Sequence, residues 1–140
     1  MQKLSIKAAE TTECDVISCL LQDSIFHFSS LTLHDDQKCL RLMANRFCWE
    51  LLEKEPHYYR VHSGLYIYNI ENIIINDNFK RMKEDKYLSL LAMHAAENEI
   101  TMLFSGDKTA VVKTNKICVY LKDLHDQYAT PVIPVHEGHV

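Results

Sequence analysis

Short runs in which apolar and polar residues alternate recur along this chain, and they constrain its fold more than any other feature. Phe26 and Phe28 alternate, then Leu31 and Leu33, and Leu40, Leu42 and Ala44 resume the pattern after the polar stretch Asp35-Asp36-Gln37-Lys38. Successive side chains of a strand point to opposite faces, so such runs read as strands with one face in a core. Residues 26–44 therefore read as a hairpin, with Ser29-Ser30 as a bulge. Tyr59–Ile75 is rich in β-formers and loses its alternation near Asn69–Asn72, which reads as one bent strand or two. Asn76-Asp77-Asn78 reads as a turn and Lys80–Lys86 as an exposed charged connection. Leu88–Ala95 and Ile100–Phe104 form a second hairpin around Ala96-Glu97-Asn98, and Ser105-Gly106-Asp107-Lys108 turns the chain into Thr109–Lys113. Ile117–Leu124 is apolar enough for a last strand, with a helix as the alternative, and residues 47–57 read as a short helix or a covering loop ending near Pro56.

One helix stands out against this β pattern. Thr12 is placed as its N-cap, with Asp15 three residues on in the manner of a capping box. The helix runs to about Gln22, with Val16, Ile17, Leu20 and Leu21 on one face. A weak repeat also emerges. At an offset of sixty, Leu31-Thr32-Leu33-His34 matches Leu91-Ala92-Met93-His94, and Leu40 and Leu42 match Ile100 and Met102. Leu4 and Ile6 ahead of the first hairpin correspond to Leu65 and Ile67 ahead of the second. Duplication is one reading; chance alignment of two amphipathic hairpins is the other.

Composition narrows the function classes. The chain of 140 residues fits one domain with a real core, expected at residues 1–128 with an extended tail at 129–140. A formal charge of −4 gives no global support to phosphate neutralisation, so nucleic acid is not the expected partner. The start of the sequence lacks the apolar core of a secretory signal, and no apolar run approaches the roughly 18 residues of a membrane span. The five cysteines, at 14, 19, 39, 48 and 118, make an odd set without a CxxC pair, which suits free thiols in a reducing cytoplasm. Lysine outnumbers arginine eleven to four, the mark of an AT-rich genome, so tyrosine and lysine abundance carries little weight. With glycine only at 64, 106 and 138, no phosphate-cradling loop can be built in the usual way.

Catalytic and metal motifs do not stand up to their geometric requirements. His136-Glu137-Gly138-His139 falls one residue short of the HExxH spacing that aims two imidazoles at one zinc, and His34 and His94 read as strand-end residues. Cys14 and Cys19 fall on different faces of the helix, so no metal is expected. Cys48 lies near Arg46, which favours a thiolate, but no histidine is fixed against it, and adjacent strand residues face opposite ways. Asp35-Asp36 reads as two solvated turn carboxylates. Tyr58-Tyr59-Arg60 and Tyr66-x-Tyr68 mix rings with a cation on a strand, as RNA-binding sheets do, without the basic-glycine-aromatic signature of those sheets.

Asn45-Arg46-Phe47-Cys48-Trp49-Glu50 holds the sole tryptophan. Arg46 is placed to pair with Glu50 as a structural clamp beneath the hairpin. The alternative is that Arg46, Trp49, Arg60 and His62 converge on an anionic ligand or a protein partner, since arginine and tryptophan anchor interfaces.

This segment also carries a resemblance. Asn45-Arg46-Phe47-x-Trp49-Glu50 is followed by Ser63-Gly64-Leu65-x-Ile67-x-x-Ile70 and Leu88-x-Leu90-Leu91-Ala92. Phe104-Ser105-Gly106, Leu121-Lys122-Asp123-Leu124, Ala129-Thr130 and Pro134-x-His136 complete the series. In this order they resemble a family of small alphaproteobacterial cytoplasmic proteins catalogued only as a domain of unknown function. The resemblance covers nearly the whole chain and implies a bacterial cytoplasmic protein, with no catalytic residues to carry over.

The sequence thus predicts an α+β fold: a mainly antiparallel sheet of about seven or eight strands, strongly curved or barrel-like, with one N-terminal amphipathic helix. The predicted function is a non-enzymatic binding or protein-interaction module, open to self-association and without cofactor or membrane segment. Its ligand or partner residues are Arg46, Trp49, Arg60, His62, Tyr66 and Tyr68. A small metabolic enzyme with its site between the two halves is the alternative, and an RNA-binding protein the lesser one.

Overall fold

The computed structural model describes residues 3–27, 38–83 and 86–134 in full and 32–34 as backbone. The expected Ser29-Ser30 bulge, the Asp35-Asp36 turn and His136–His139 lie outside the described residues. Among those described, the elements are β1 (Ser5–Ala8), α1 (Thr11–Leu21), β2 (Ile25–His27), β3 (Thr32–His34), β4 (Cys39–Phe47) and a 3₁₀ turn at Trp49–Leu51. They continue with β5 (Tyr58–Ile67), β6 (Ile70–Ile75), α2 (Asp77–Lys80), β7 (Tyr87–Ala96), β8 (Glu99–Phe104), β9 (Lys108–Thr114), β10 (Val119–Asp123) and β11 (Tyr128–Thr130). No described helix is long and apolar enough to cross a membrane.

The strands form one antiparallel sheet in the order β1-β10-β5-β4-β2-β7-β8-β9-β6, with β3 beside β4 and β11 beside β5. Two expectations are corrected. The sheet has eleven strands among the described residues rather than seven or eight, because the first arm of the 26–44 hairpin is divided into β2 and β3, the 59–75 stretch into β5 and β6, and the start of the tail adds β11. It is also not a barrel: β1 and β6 stand at opposite ends and do not pair. β1 has four residues, and β6 exposes Glu71 and Asn72. Within residues 117–124, Val119–Asp123 are strand and none is helix, and the extended tail is paired at its start through β11.

The inner faces of both ends of the sheet share one core. It joins Leu40, Leu42, Leu65, Ile67 and Leu121 to Leu90, Ile100, Met102, Phe104 and Val112. Alternation dictates this: in β5, Val61, Ser63, Leu65 and Ile67 point inward, while His62 and Tyr66 face out. Asn69 at φ 60 separates β5 from β6 where the alternation fails, and Asn98 at φ 57 turns β7 into β8.

α1 begins two residues earlier than expected. Glu10 is its N-cap without a side-chain bond, and Glu13 accepts from the Ala9 amide at 3.1 Å instead. Its buried face is Cys14, Ile17 and Leu21, while Val16 is exposed. That face lies against β7, where the Met93 amide donates to Ser18 Oγ at 2.9 Å. The expected turn at Asn76-Asp77-Asn78 is the start of α2, capped by Asn76 Oδ1 accepting from the Phe79 amide at 3.0 Å.

The two parts of the chain follow one plan: strand, helix, then three antiparallel strands. The first runs β1-α1-β2/β3-β4-β5 and the second β6-α2-β7-β8-β9. In this order of elements β6 takes the place of β1. At the offset of sixty, His27 has Tyr87 as its counterpart, and these two residues face each other where β2 meets β7. A residue paired with its own counterpart is what a local two-fold axis requires.

Candidate functional site

Arg46 occupies an inward position of β4, in line with Leu40, Leu42 and Ala44, and is 0% exposed. A lone guanidinium there would be very costly, and two carboxylates meet it. Nη1 and Nη2 donate to the two oxygens of Glu50 at 2.7 and 2.8 Å. Nη2 and Nε donate to Asp123 on β10 at 3.1 and 3.3 Å. Asp123 accepts in addition from Ser63 Oγ at 2.6 Å and from the Leu4 amide at 2.9 Å. Burial works against the charge on Arg46, but the bonds to Glu50 and Asp123 outweigh it and raise its pKa. The Arg46–Glu50 pair anticipated from the sequence forms. Asp123 is the partner sequence reading missed, although its place in the alternation Val119, Leu121, Asp123 marks it as an inward carboxylate.

The six sequence-selected residues do not converge. Arg46 points into the protein, whereas Arg60 and His62 lie on the outward side of the neighbouring strand. Trp49 is half-buried on Phe47, ring centroids 4.6 Å apart, and its Nε1 donates to the Gln22 carbonyl at 2.8 Å. It thereby ties the 3₁₀ turn to the end of α1. Arg60 donates to the Asn45 carbonyl at 3.1 Å and lies over the Phe47 ring. His62 is exposed and stacks on Tyr128, with centroids at 5.9 Å. Tyr66 and Tyr68 lie toward the other end of β5.

What the structure does assemble is a continuous outward face across β1, β10, β5 and β4. Register places Lys7 beside Tyr120, Tyr120 beside Tyr66 and Tyr66 beside Arg41, a row running across four strands. Lys7 lies over the Tyr120 ring at 5.6 Å and Arg41 over the Tyr66 ring at 6.0 Å. Tyr68 meets Tyr120 edge-on at 5.8 Å, and burial raises its phenol pKa. Beside the row runs Ser5, Lys122, Gly64 and Met43. A Cβ on Gly64 would come within 2.5–2.8 Å of the end of the Tyr66 ring, so the ring lies over the bare glycine backbone. A depression of about 540 Å³ is lined by Ser5, Tyr66, Tyr68, Cys118, Tyr120 and Lys122. Farther along the face, His27, Met43, Asn45, His62 and Tyr87 line a second, shallow groove of about 630 Å³.

Among the described residues, no three His, Cys, Asp or Glu gather as a metal set. The thiols with shifted pKa values are buried: burial pushes Cys14 up to about 11 and Cys48 up to about 12, the latter against the lowering influence of Arg46. The cavity between the two halves, about 300 Å³, is lined by Leu40, Leu42, Ile73, Ile75, Phe79, Met102, Phe104 and Ala110, all apolar.

No curated protein and no solved structure matches this chain. A family model described as a protein of unknown function, DUF2948, matches residues 4–136. That match spans all of the strands and both helices described above, and the chain belongs to the DUF2948 family.

Proposed function

We propose that this protein is a non-enzymatic binding module of the bacterial cytoplasm, and that its recognition surface is the outward face of β1, β10, β5 and β4. One observation carries the reading. The outward positions of these strands hold Lys7, Lys122, Arg41 and Arg60 and no carboxylate, in a chain whose formal net charge is −4. Charge segregated in this way attracts anionic partners, and exposed or half-buried tyrosines and His62 offer ring contacts beside it. The apolar lining of the cavity between the halves supplies no acid, base or nucleophile, which favours binding over the enzyme alternative. The test is an amide-shift titration of the protein with inorganic phosphate, a nucleoside monophosphate and heparin. Perturbations confined to β1, β4, β5 and β10 support the reading; none there with any anion overturns it.

Self-association is a second reading. Ile74, Leu91 and Leu103 are 51%, 40% and 41% exposed on the second half. Light scattering of the wild type and Leu103→Glu tests it: a dimer that the substitution dissociates supports it, and a monomer throughout removes it.

A further inference from the structure

The Lys7-Tyr120-Tyr66-Arg41 row has a chemistry more specific than positive charge. We propose that it is a stacking platform for single-stranded nucleic acid, an inference that rests on the outward face being the binding surface.

Bases expose flat π-faces and phosphates expose negative charge, so a surface that holds a strand without reading its sequence needs rings flanked by cations. The row provides both in one line. Tyr120 and Tyr66 are direct neighbours on adjacent strands, with Lys7 and Arg41 at the two ends. Three inter-strand spacings of about 4.8 Å give the row a length of about 14 Å, room for a base on each ring with phosphates reaching the flanking cations. RNA-binding sheets likewise seat two or three bases on aromatics of adjacent strands. Gly64 gives the platform its form. With no side chain there, the end of the Tyr66 ring settles over the glycine backbone, and the ring stays half-buried with Arg41 over it. Lys122, beside Gly64 in the neighbouring row, adds a third cation. The sequence weighed against nucleic acid because neither its overall charge nor a motif supports it. The platform is formed by register between strands distant in the chain, which composition cannot report.

The Gly64→Ala substitution isolates the claim. The nearest atoms to its methyl group belong to the Tyr66 ring and hydroxyl, a side chain that can move where the backbone need not. Fluorescence anisotropy with a labelled eight-nucleotide oligouridylate, its DNA counterpart, a duplex of the same length and heparin provides the readout. The expected result is binding of the single strands over the duplex, weakened about tenfold by Gly64→Ala and by Tyr66→Ala and retained by Tyr66→Phe. The salt slope should be unchanged by Gly64→Ala and fall by about 0.7 for each of Lys7→Gln and Arg41→Gln. Thermal melts of the variants confirm that the fold persists. Heparin binding this face as well as the oligonucleotides do, with Gly64→Ala and Tyr66→Ala neutral, overturns the platform and leaves an anion-binding surface standing. Absence of oligonucleotide binding while inorganic phosphate or heparin still perturbs the face has the same meaning. Absence of every anion from the face overturns both.

Discussion

Arg46 shows how one inward charge governs its surroundings. Glu50 and Asp123 close around it, and Asp123 holds a hydroxyl and an amide besides, so removing Arg46 leaves Asp123 buried without a counter-charge, while removing Asp123 leaves Arg46 with Glu50 alone and strands the Ser63 hydroxyl and the Leu4 amide. Asp123→Ala is expected to lower stability by about 3–5 kcal/mol in urea unfolding. Arg46→Leu combined with Asp123→Leu should cost clearly less than the sum of the two single changes, because neither charge is then stranded. The thiols make a second prediction. Cys14 and Cys48 are buried and raised to about 11 and about 12, whereas Cys19 is exposed. Iodoacetamide at pH 8 should therefore modify Cys19 and spare those two in the native protein, as peptide mass spectrometry would show. The raised folded values have a definite sign. The unfolded thiols ionise near 9.0, so their contribution to stability is complete below that pH and is lost as pH rises toward about 12. At this scale the sequence was legible wherever alternation alone decides orientation, as for Tyr66 and for the Arg46–Glu50 pair. Lys7 and Tyr120 were not, since only register brings them beside Tyr66.

Among the elements, α1 matters most for how the sheet is finished. β7 pairs with β2 only over Tyr87–Ser89, and the helix takes over beside its continuation. Ser18 supplies the acceptor that the Met93 amide would otherwise lack. Ser18→Ala is expected to cost about 1–3 kcal/mol and to speed hydrogen exchange at Met93 selectively. Unchanged exchange at that amide would mean that water or another group takes the place of the hydroxyl. The helix itself was readable from its apolar spacing, but its orientation was not. The apolar face expected from the sequence included Val16, whereas Cys14, Ile17 and Leu21 face the core. A short helix with apolar residues on adjacent positions leaves its rotation to tertiary packing. The short strand β11 was invisible for a related reason: three residues contain too little alternation to register, and its neighbour β5 defines it, whereas β2 and β3 were legible together as one arm of the first hairpin.

The whole molecule is two similar halves that depend on each other. Their inner faces make one core, and β10, which follows the second half in sequence, inserts between β1 and β5 of the first. Neither half can keep its apolar face covered alone, so unfolding should be a single transition. Fluorescence of Trp49, the sole tryptophan, reports the first half, and hydrogen exchange along β8 and β9 reports the second. Coincident midpoints in urea are expected; separated ones would show the halves to be independent. The position of β10 also bears on how the protein is made. Asp123 lies 77 residues after Arg46. At about 5–20 residues per second, roughly 4–15 s pass on the ribosome between the guanidinium and this carboxylate. During that interval the nascent first half lacks both a strand of its sheet and the second of the two carboxylates that meet Arg46. Synthesis of the last strands, rather than emergence of the first, sets the moment at which this chain can fold.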